Sequence, residues 1–450
     1  MSTSRPEKAG RLAALRDALD EGAVRSAERL IATLHPAEVA QLLESLPPQR
    51  RHVVWELADP ELDGDILLEL SEEVRDELIR GMDADELAAA AGSMDIDDLA
   101  DLVDSLPETV TQQLLRRMDQ QDRERLTRLL SWPDDTAGSL MQTDTVSVRA
   151  DVSLEVVQRY LRMRGELPER TDRLFVVDRT DRFLGTLTLA RLLTDDPDRL
   201  VGMSLDTEAP RIAPDMPAHE VAQLFQARDL VSTAVVDDAG RLLGRVTIDD
   251  VVDVISEEAA HEVMAGAGLR DEEDVFAGVV PSARRRILWL GINLLTAFLA
   301  GAVVRSFEDT ITRVAALAAL MPIVASMGGI AGTQTVTLII RALALGQVQW
   351  RDTRWLLMRE TGVAALSGAA LAIVVGAATW WWMGTWQVAI IIGAAMLLNL
   401  LAAAATGVVV PLTLRRLDID PALSAGVILT TFTDCIGFAA LLGLGAIFLT

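Results

Sequence analysis

The stretch Gly426-Val-Ile-Leu-Thr-Thr-Phe-Thr-Asp-Cys-Ile-Gly437 places a single acid inside a long apolar segment. Asp434 is the only charged residue from position 421 to the end of the chain. A carboxylate in a segment long enough to cross a bilayer is costly, and such residues mostly mark ion or substrate pathways. On a helix, Thr430 lies one turn before Asp434 on the same face, so the pair predicts an oxygen-lined cation site. The alternative is a structural ion pair, but the nearest basic residues along this helix are roughly 27 Å away.

The charge of the chain is concentrated in its first part. The 450 residues carry a net charge of -25; residues 1–286 hold 59 acidic and 33 basic residues, whereas residues 287–450 hold 7 and 8. This division predicts an acidic soluble part followed by an apolar membrane part. The acidic balance argues against nucleic-acid binding and suits cations as partners. With one cysteine and four histidines, we expect no disulfide framework and no zinc site, so any metal should be a hard cation bound through oxygen.

Residues 1–131 carry apolar side chains at helical spacing between short breakers, which predicts an all-α domain. The phrase Leu42-Leu43-Glu44-Ser45-Leu46-Pro47 returns 60 residues later as Leu102-Val103-Asp104-Ser105-Leu106-Pro107. Weak repetition of this kind is typical of a superhelical stack of helices. Several acids, Asp97 and Asp101 among them, crowd the middle of this domain, and a solvated acidic face is the bland interpretation of them.

From residue 138 the pattern changes to short strands alternating with helices. Phe175-Val176-Val177-Asp178 recurs 59 residues later as Ala234-Val235-Val236-Asp237, and each copy predicts strand, turn, strand and helix. This resembles a tandem pair of α/β cystathionine-β-synthase (CBS) domains, at 138–200 and 201–256. In such modules a Thr and an Asp after the second strand can hold an adenosine ribose. Thr247 and Asp250 fit, so the resemblance implies ATP as an optional ligand of the second domain; the alternative is that both only join the strand to the next helix.

An acidic helix leads from the second CBS domain toward the membrane part, and we assign residues 257–283 to this connection. Asp249, Asp253 and Glu257 are spaced four apart, and Glu258 lies beside them. Each such pair destabilises an isolated helix by roughly 0.2 to 0.5 kcal/mol. A cation bound between the carboxylates would relieve this repulsion. A solvated acidic linker is the alternative interpretation.

Residues 284–450 predict a transmembrane domain of five helices. The longest uncharged run, 361–414, must fold back on itself, most plausibly at the tryptophan-rich stretch 380–386. The arginines fall unevenly on the two sides: Arg284, Arg285, Arg286, Arg341, Arg351, Arg354, Arg359, Arg415 and Arg416 against Arg305 and Arg313. The positive-inside rule then places the soluble domains in the cytoplasm and the C-terminus outside. The polar N-terminus, which lacks the apolar core of a signal peptide, agrees with this.

The second span contains Pro322 and the cluster Gly328-Gly329-Ile330-Ala331-Gly332-Thr333-Gln334. Irregular backbone at membrane depth occurs only where it is buried in protein or lines a cavity, so we predict a pore-lining break here. Asn399 and Thr406 on the fourth span offer further polar groups. The alternative is that the small residues let helices approach closely.

The order of these parts resembles the MgtE family of magnesium channels and transporters along nearly the whole chain. The motifs that carry the resemblance are Pro322 with the glycine cluster, Thr337-Leu338-Ile339-Ile340-Arg341-Ala342-Leu343-Ala344, Asp420-Pro421-Ala422-Leu423, and Thr431 through Asp434 with Gly437. The resemblance implies a homodimer with its pore at the dimer axis, where Asp434 holds a hydrated Mg²⁺ ion. It also implies that cytosolic Mg²⁺ bridges acidic residues and closes the pore when the ion is plentiful. The carboxylates at matching positions are Asp229, Asp250, Asp253, Glu258 and Glu262, with Asp97 and Asp101 as the counterparts in the N-domain.

Two residues depart from the family pattern. The paired glycines are usually followed by Asn, and here that place is Ile330. An Asn often found in the last span before the Thr pair is here Gly426. Both changes remove polar atoms near the expected ion path.

The sequence therefore predicts a multidomain protein: an all-α superhelical N-domain, tandem α/β CBS domains, a connecting helix and a five-helix transmembrane domain. We expect a homodimeric, magnesium-selective, channel-like transporter, surrounded by lipid in the cell inner membrane and gated by cytosolic Mg²⁺. The alternatives are a transporter that prefers Mn²⁺ or Co²⁺ and a non-conducting CBS-domain sensor. An enzyme is not expected, because no nucleophile, base and orienting group occur together.

Overall fold

The computed structural model describes residues 18 and 23–449, apart from residues 93, 95, 105, 107, 267, 270–273 and 418. The side chains of residues 84, 97, 101, 104, 108, 109, 113, 121 and 262 also lie outside the described part. The chain divides into two compact units. One is Met1–Ala259 with Glu272–Ala277, and the other is Ala260–Asp271 with Gly278–Thr450.

The first unit begins with a series of short helices, as the spacing of apolar residues predicts. In the described residues these are α1 (Val24–Ile31), α2 (Pro36–Glu44), α3 (Pro48–Trp55), α4 (Asp63–Leu68), α5 (Glu72–Ile79), α6 (Ala84–Ala91), α7 (Ile96–Asp104), α8 (Glu108–Arg117) and α9 (Gln120–Leu129). Local signals explain where they start. His35 and Asp83 each accept a backbone N–H of the following helix, and Glu38 and Glu86 reach back to complete a capping box.

Arg51 ties a distant segment of the chain to these helices. Its side chain is fully buried, and its Nη1 and Nη2 atoms lie 2.7 Å from Glu77 Oε2 and 2.7 Å from Asp274 Oδ2. Nε donates a third hydrogen bond of 3.0 Å to the Leu43 carbonyl. A buried guanidinium is tolerated because these partners satisfy it. Asp274, which follows the connecting helix in sequence, is therefore anchored on the helical domain.

Two similar α/β repeats follow the helical domain. The first contains β1 (Ser147–Arg149), α10 (Leu154–Arg164), β2 (Arg173–Val177), β3 (Phe183–Thr188), α11 (Leu189–Thr194) and α12 (Val201–Ser204). The second contains β4 (Arg211–Ile212), α13 (Ala218–Arg228), β5 (Ser232–Val236) and β6 (Leu242–Thr247). In each three-stranded sheet the outer strands pair with the middle strand, one parallel and one antiparallel. The antiparallel register shifts at Val176/Val177 and again at Val235/Val236, so the irregularity itself is repeated. The tandem CBS prediction is confirmed.

The long helix α14 (Ile248–Gly266) continues directly from β6. It begins in the first unit and ends in the second. The second CBS domain and the connection, which we had divided at residue 256, thus share one continuous helix.

Five helices of the described chain are long and apolar enough to cross a membrane, as predicted. They are α15 (Val279–Arg305), α17 (Ala316–Ala344), α18 (Thr353–Met383), α19 (Trp386–Arg416) and α20 (Pro421–Leu449); the short α16 (Glu308–Arg313) lies between the first two. The chain reverses between α18 and α19 at Gly384, whose φ of 71° is readily adopted only by glycine. This turn lies within the tryptophan-rich stretch, where we predicted it.

The predicted break in the second span is wrong, because α17 runs without interruption through Pro322 and the glycine cluster. The glycines serve close packing instead. A Cβ atom at Gly332 would lie 2.5 Å from a methyl carbon of Leu429 on α20, and one at Gly328 would lie 2.2 Å from Asn399 Nδ2 on α19. Small residues on a helix remove this obstacle and let neighbouring helices approach. The alternative interpretation of the cluster is thus the one that the structure supports.

Candidate ion pathway and acidic group

One face of α20 packs against its neighbours, and the face beside it is left open. Leu429, Thr433 and Gly437 recur every four residues and are buried. Thr430 is exposed and Asp434 is partly exposed, although both lie within an otherwise uncharged membrane helix. The described part of the second unit therefore leaves a polar stripe along α20 uncovered, as the spacing of these two residues predicted.

The Thr430 hydroxyl is held in a defined direction. Its Oγ1 donates to the carbonyls of Gly426 and Val427, both at 3.1 Å. A hydroxyl that donates its proton to the backbone still has lone pairs to offer. Thr430 and Asp434 can therefore both present oxygen to a hydrated cation.

A second polar stripe lies on α17. Ser326, Thr333, Gln334 and Thr337 are exposed in the described chain. Ile330 lies on the same open side and is 53% exposed. Exposed polar side chains on a membrane helix usually face a water-filled cavity or another helix. Ile330 thus does not pack tightly against a neighbouring span of its own chain.

Asn399 does not face an ion path, contrary to our expectation. It is fully buried, and its Nδ2 donates a hydrogen bond of 2.9 Å to the Val324 carbonyl on α17. Thr406, the other polar residue expected there, is partly exposed. The polar groups of α19 therefore divide between helix packing and accessible surface.

Sequence reasoning missed a second buried carboxylate, Glu360 on α18. It is 6% exposed and pairs with the guanidinium of Arg359. Its Oε2 also accepts a hydrogen bond of 3.3 Å from Thr335 Oγ1 on α17. The acid lies about two turns inside α18, but its basic neighbour made it look like part of a charged loop. We interpret it as a paired structural acid.

In the first unit, an acidic group forms where α14 begins. Burial raises the pKa of the Asp250 carboxyl to about 7, and Asp249 and Asp98 add to the shift by repulsion. Partial burial also raises the pKa of Asp253, with further repulsion from Glu69 and Asp249. Glu69 and Asp98 belong to the helical domain, so acids from two domains raise one another's cost of ionisation.

One arginine enters this acidic group. Arg170, in the loop before β2, places Nη1 2.5 Å from Asp249 Oδ2. Its φ of 54° is unusual for a residue other than glycine. The ion pair partly neutralises Asp249 and lowers the repulsion at Asp253.

Thr247 and Asp250, proposed as nucleotide ligands, contact each other. Thr247 is fully buried, and its Oγ1 lies 3.0 Å from Asp250 Oδ2 and 2.5 Å from Asp249 Oδ1. The Asp250 carboxylate also accepts the Thr247 backbone N–H at 3.3 Å. These contacts match the alternative that both residues join β6 to α14. Nucleotide binding at this pair stays a prediction.

The remaining predicted acids are not assembled into a described site. Asp229 ends α13 in a left-handed conformation with its side chain exposed, and Glu258 is exposed on α14. The side chains of Asp97, Asp101 and Glu262 lie outside the described part. Among the side chains that are described, no three His, Cys, Asp or Glu lie close enough together to hold one metal ion. Their assignment as metal ligands therefore stays a prediction.

The raised pKa of Asp250 predicts a pH dependence of stability. Its folded pKa of about 7 exceeds the ordinary value of 3.8, so the folded state binds the extra proton between these values. Stability from this group is then highest at low pH and falls as the pH rises from about 4 to about 7. We expect Asp250→Asn to flatten this part of the profile, measured by thermal unfolding in chelator.

Asp63 provides a comparison within the same unit. Burial, with repulsion from Glu86 and Asp59, raises its pKa to about 6. Asp63→Asn should therefore flatten the profile only up to a lower pH than Asp250→Asn does. Identical profiles for wild type and Asp250→Asn would contradict the assignment.

Comparison with known proteins agrees with this division of the chain. Residues 321–444 match the MgtE family model, described as a divalent cation transporter. Residues 34–135 match the MgtE intracellular N domain, and residues 137–198 and 199–257 match the CBS domain.

Relatives of known name extend over nearly the whole chain. The magnesium transporter MgtE of Thermus thermophilus is 31% identical over 442 residues, which cover 97% of this chain and 98% of the relative. The magnesium transporter MgtE of Bacillus subtilis is 26% identical, with 96% of each chain covered. Among solved structures, the cytosolic domain of the Mg²⁺ channel MgtE in complex with ATP aligns with a TM-score of 0.50 and 30% identity, covering 54% of this chain and 99% of that one. This chain therefore belongs to the MgtE family of divalent cation transporters.

Proposed function

We propose that this protein is a magnesium-selective, channel-like transporter that carries Mg²⁺ down its electrochemical gradient. The observation that carries the proposal is the position of Asp434, the one charge of α20, on a stripe that the rest of the chain leaves open. An intramembrane acid that faces neither a basic partner nor a packed core has the position expected of an ion ligand. Membership of a divalent cation transporter family supports the same substrate class.

A single carboxylate suits Mg²⁺ in particular. This ion gives up its water reluctantly, and proteins usually hold it through one or two carboxylates while it keeps several waters. Asp434 would attract the charge, and the hydroxyl of Thr430 would contact the hydration shell. The membrane potential supplies about 2.3 kcal/mol per elementary charge for each 100 mV, and twice this for a divalent ion.

A homodimer would complete the pathway. Thr430 and Asp434 of α20 and the stripe Ser326, Thr333, Gln334 and Thr337 of α17 are all accessible in one chain. Lipid tails offer polar side chains no hydrogen bonds, so a second copy or a water-filled pore is a better environment. Two copies meeting at these stripes would place two Asp434 carboxylates around one axis. We assign the protein to the cell inner membrane as a multi-pass protein with cytoplasmic soluble domains, on the arginine distribution given above.

Cytosolic Mg²⁺ would act as the gating ligand. The acids around Asp249, Asp250 and Asp253 repel one another, and the raised pKa values of the last two measure that cost. A divalent cation among them would favour the ionised carboxylates and draw the helical domain toward α14. Asp229, Glu258, Glu262, Asp97 and Asp101 belong to the same proposed group of ligands. An adenine nucleotide is a further proposed ligand of the CBS pair, supported by the ATP complex of the related cytosolic domain.

Uptake by purified protein in liposomes is the decisive experiment, with a Mg²⁺-sensitive dye inside and the membrane potential set by K⁺. We expect uptake that follows the potential and is inhibited by Mg²⁺ on the side of the cytoplasmic domains. Competition by Mn²⁺ and Co²⁺ distinguishes the first rival, a transporter for those ions. Absence of any cation flux from folded protein would favour the other rival, a non-conducting sensor.

Ile330→Asn tests the departure from the family pattern. Because residue 330 is half exposed, the new amide would not be buried without partners, and we expect thermal stability to change little. If the open side of α17 lines the pore, the amide adds a group that can bind the ion's water, and the ratio of Mg²⁺ to Ca²⁺ uptake should rise.

Ile292→Asn, at a half-exposed position of α15, is the matched control and should leave the ratio unchanged. An unchanged ratio in folded Ile330→Asn would refute the pore-facing assignment.

A further inference from the structure

Asn399 of α19 lies where three membrane helices meet. Its Nδ2 bonds to the Val324 carbonyl of α17, and the side chain is fully buried. A Cβ atom at Gly328 of α17 would lie 2.2 Å from Nδ2, and one at Gly437 of α20 would lie 2.7 Å from it. Both distances are too short for a real Cβ. Glycines on two different helices thus make room for one amide.

The orientation of this amide is fixed by its surroundings. Reversing nitrogen and oxygen would bring Oδ1 against the Val324 carbonyl, so the bond shown requires nitrogen at that place. Oδ1 is then buried with no hydrogen-bond donor in the described part of the chain. An apolar side chain of similar shape would avoid the cost of this unpaired acceptor. The polar residue must therefore contribute something other than the stability of the bundle.

The contact with Gly437 connects Asn399 to the ion ligand. Asp434 lies three residues before Gly437 on α20, or about 4.5 Å along the helix axis. The neighbouring contact between α20 and α17, at Leu429, is made by apolar groups that have no preferred direction. The hydrogen bond of Asn399 is directional and holds α19 at one level of α17. The amide that fills the space beside Gly437 is fixed at the same level.

We propose that Asn399 is a positioning residue that sets the depth of Asp434 along the ion pathway. It touches neither the ion nor Asp434, and it acts through the fixed level of α19 and its contact with Gly437. This inference rests on the proposed function, because it assigns Asp434 as the Mg²⁺ ligand.

Asn399→Leu removes the directional bond and keeps a side chain branched at the same carbon. A misplaced ligand weakens ion binding more than passage, so we expect the Mg²⁺ concentration for half-maximal uptake to rise at least about fivefold, with maximal uptake within about twofold of wild type. Asn399→Ala, which avoids any overpacking, should shift half-saturation in the same direction. The matched control is Asn293→Leu, since Asn293 on α15 bonds only to Trp289 of its own helix and should leave the uptake curve unchanged.

A second measurement does not depend on transport. Cys435 is the single cysteine of the chain and follows Asp434 directly, so its labelling rate reports on the position of this turn. We expect the rate with N-ethylmaleimide in purified protein to change by about threefold or more in both Asn399 variants and to stay constant in Asn293→Leu.

Folded Asn399 variants with the half-saturation and labelling rate of wild type would overturn the proposal. A fall in maximal uptake that only parallels a loss of thermal stability, at constant half-saturation, would also overturn it, because that pattern indicates packing alone. If wild-type protein carries no Mg²⁺ but the labelling rate still depends on residue 399, the positioning role stands and the proposed function fails.

Discussion

Asp434→Asn is expected to reduce Mg²⁺ uptake strongly while leaving the protein folded. The amide matches the carboxylate in shape but carries no charge, so it cannot offset the water that the ion gives up. Interactions that involve a charged group are worth about 1.5 to 3 kcal/mol, which corresponds to roughly 10- to 150-fold in affinity. Asp434 is partly exposed, so the substitution leaves no buried group without a partner. Uptake into liposomes at constant membrane potential measures the effect.

Asp309→Asn is the matched control for this substitution. Asp309 is an exposed acid of the same unit, in the short helix between the first two spans, and its replacement should leave uptake near the wild-type rate. Thermal stability and elution volume should be the same for both variants and wild type. Wild-type uptake by folded Asp434→Asn would refute the ion-ligand role.

The sequence predicted the membrane part well because its main signals are local. An uncharged run long enough to cross a bilayer can hardly form anything other than a membrane helix. The reversal near Gly384 was predictable because a run of 54 residues is too long for one span and indole rings favour the membrane interface. The repeated strands were predictable in the same way, since Val176 and Val235 lie in segments of alternating apolar and turn residues at equal spacing.

The failures concern contacts between segments far apart in sequence. Gly328 and Gly332 fit a broken helix and a closely packed helix equally well, and only their distances to Asn399 and Leu429 distinguish the two. The burial of Glu360 depends on Thr335 of another helix. Glu69 gave no sequence signal at all, because its effect on Asp253 arises only from the packing of the helical domain.

Replacing four acids of α14 is expected to remove inhibition by cytosolic Mg²⁺. The variant carries Asp250→Asn, Asp253→Asn, Glu258→Gln and Glu262→Gln. Two of these carboxyls have pKa values raised by burial and by neighbouring acids, so their charges are already costly in the absence of a cation. Neutral amides remove both the repulsion and the ligands, and each 1.4 kcal/mol of lost binding shifts the inhibitory Mg²⁺ concentration about tenfold. Uptake should then continue at millimolar Mg²⁺ on the cytosolic side.

Protease digestion separates this regulatory effect from a change in the pore. Mg²⁺ should protect the cytoplasmic domains of wild type by drawing the acids together, and it should not protect the four-acid variant. A control with the same change in charge carries Asp134→Asn, Glu155→Gln, Asp198→Asn and Glu208→Gln, all at exposed positions of the first unit. This control should keep both the protection and the inhibition, because screening of general charge acts equally on both sets. Equal protection of wild type and the four-acid variant would count against a Mg²⁺ sensor at α14.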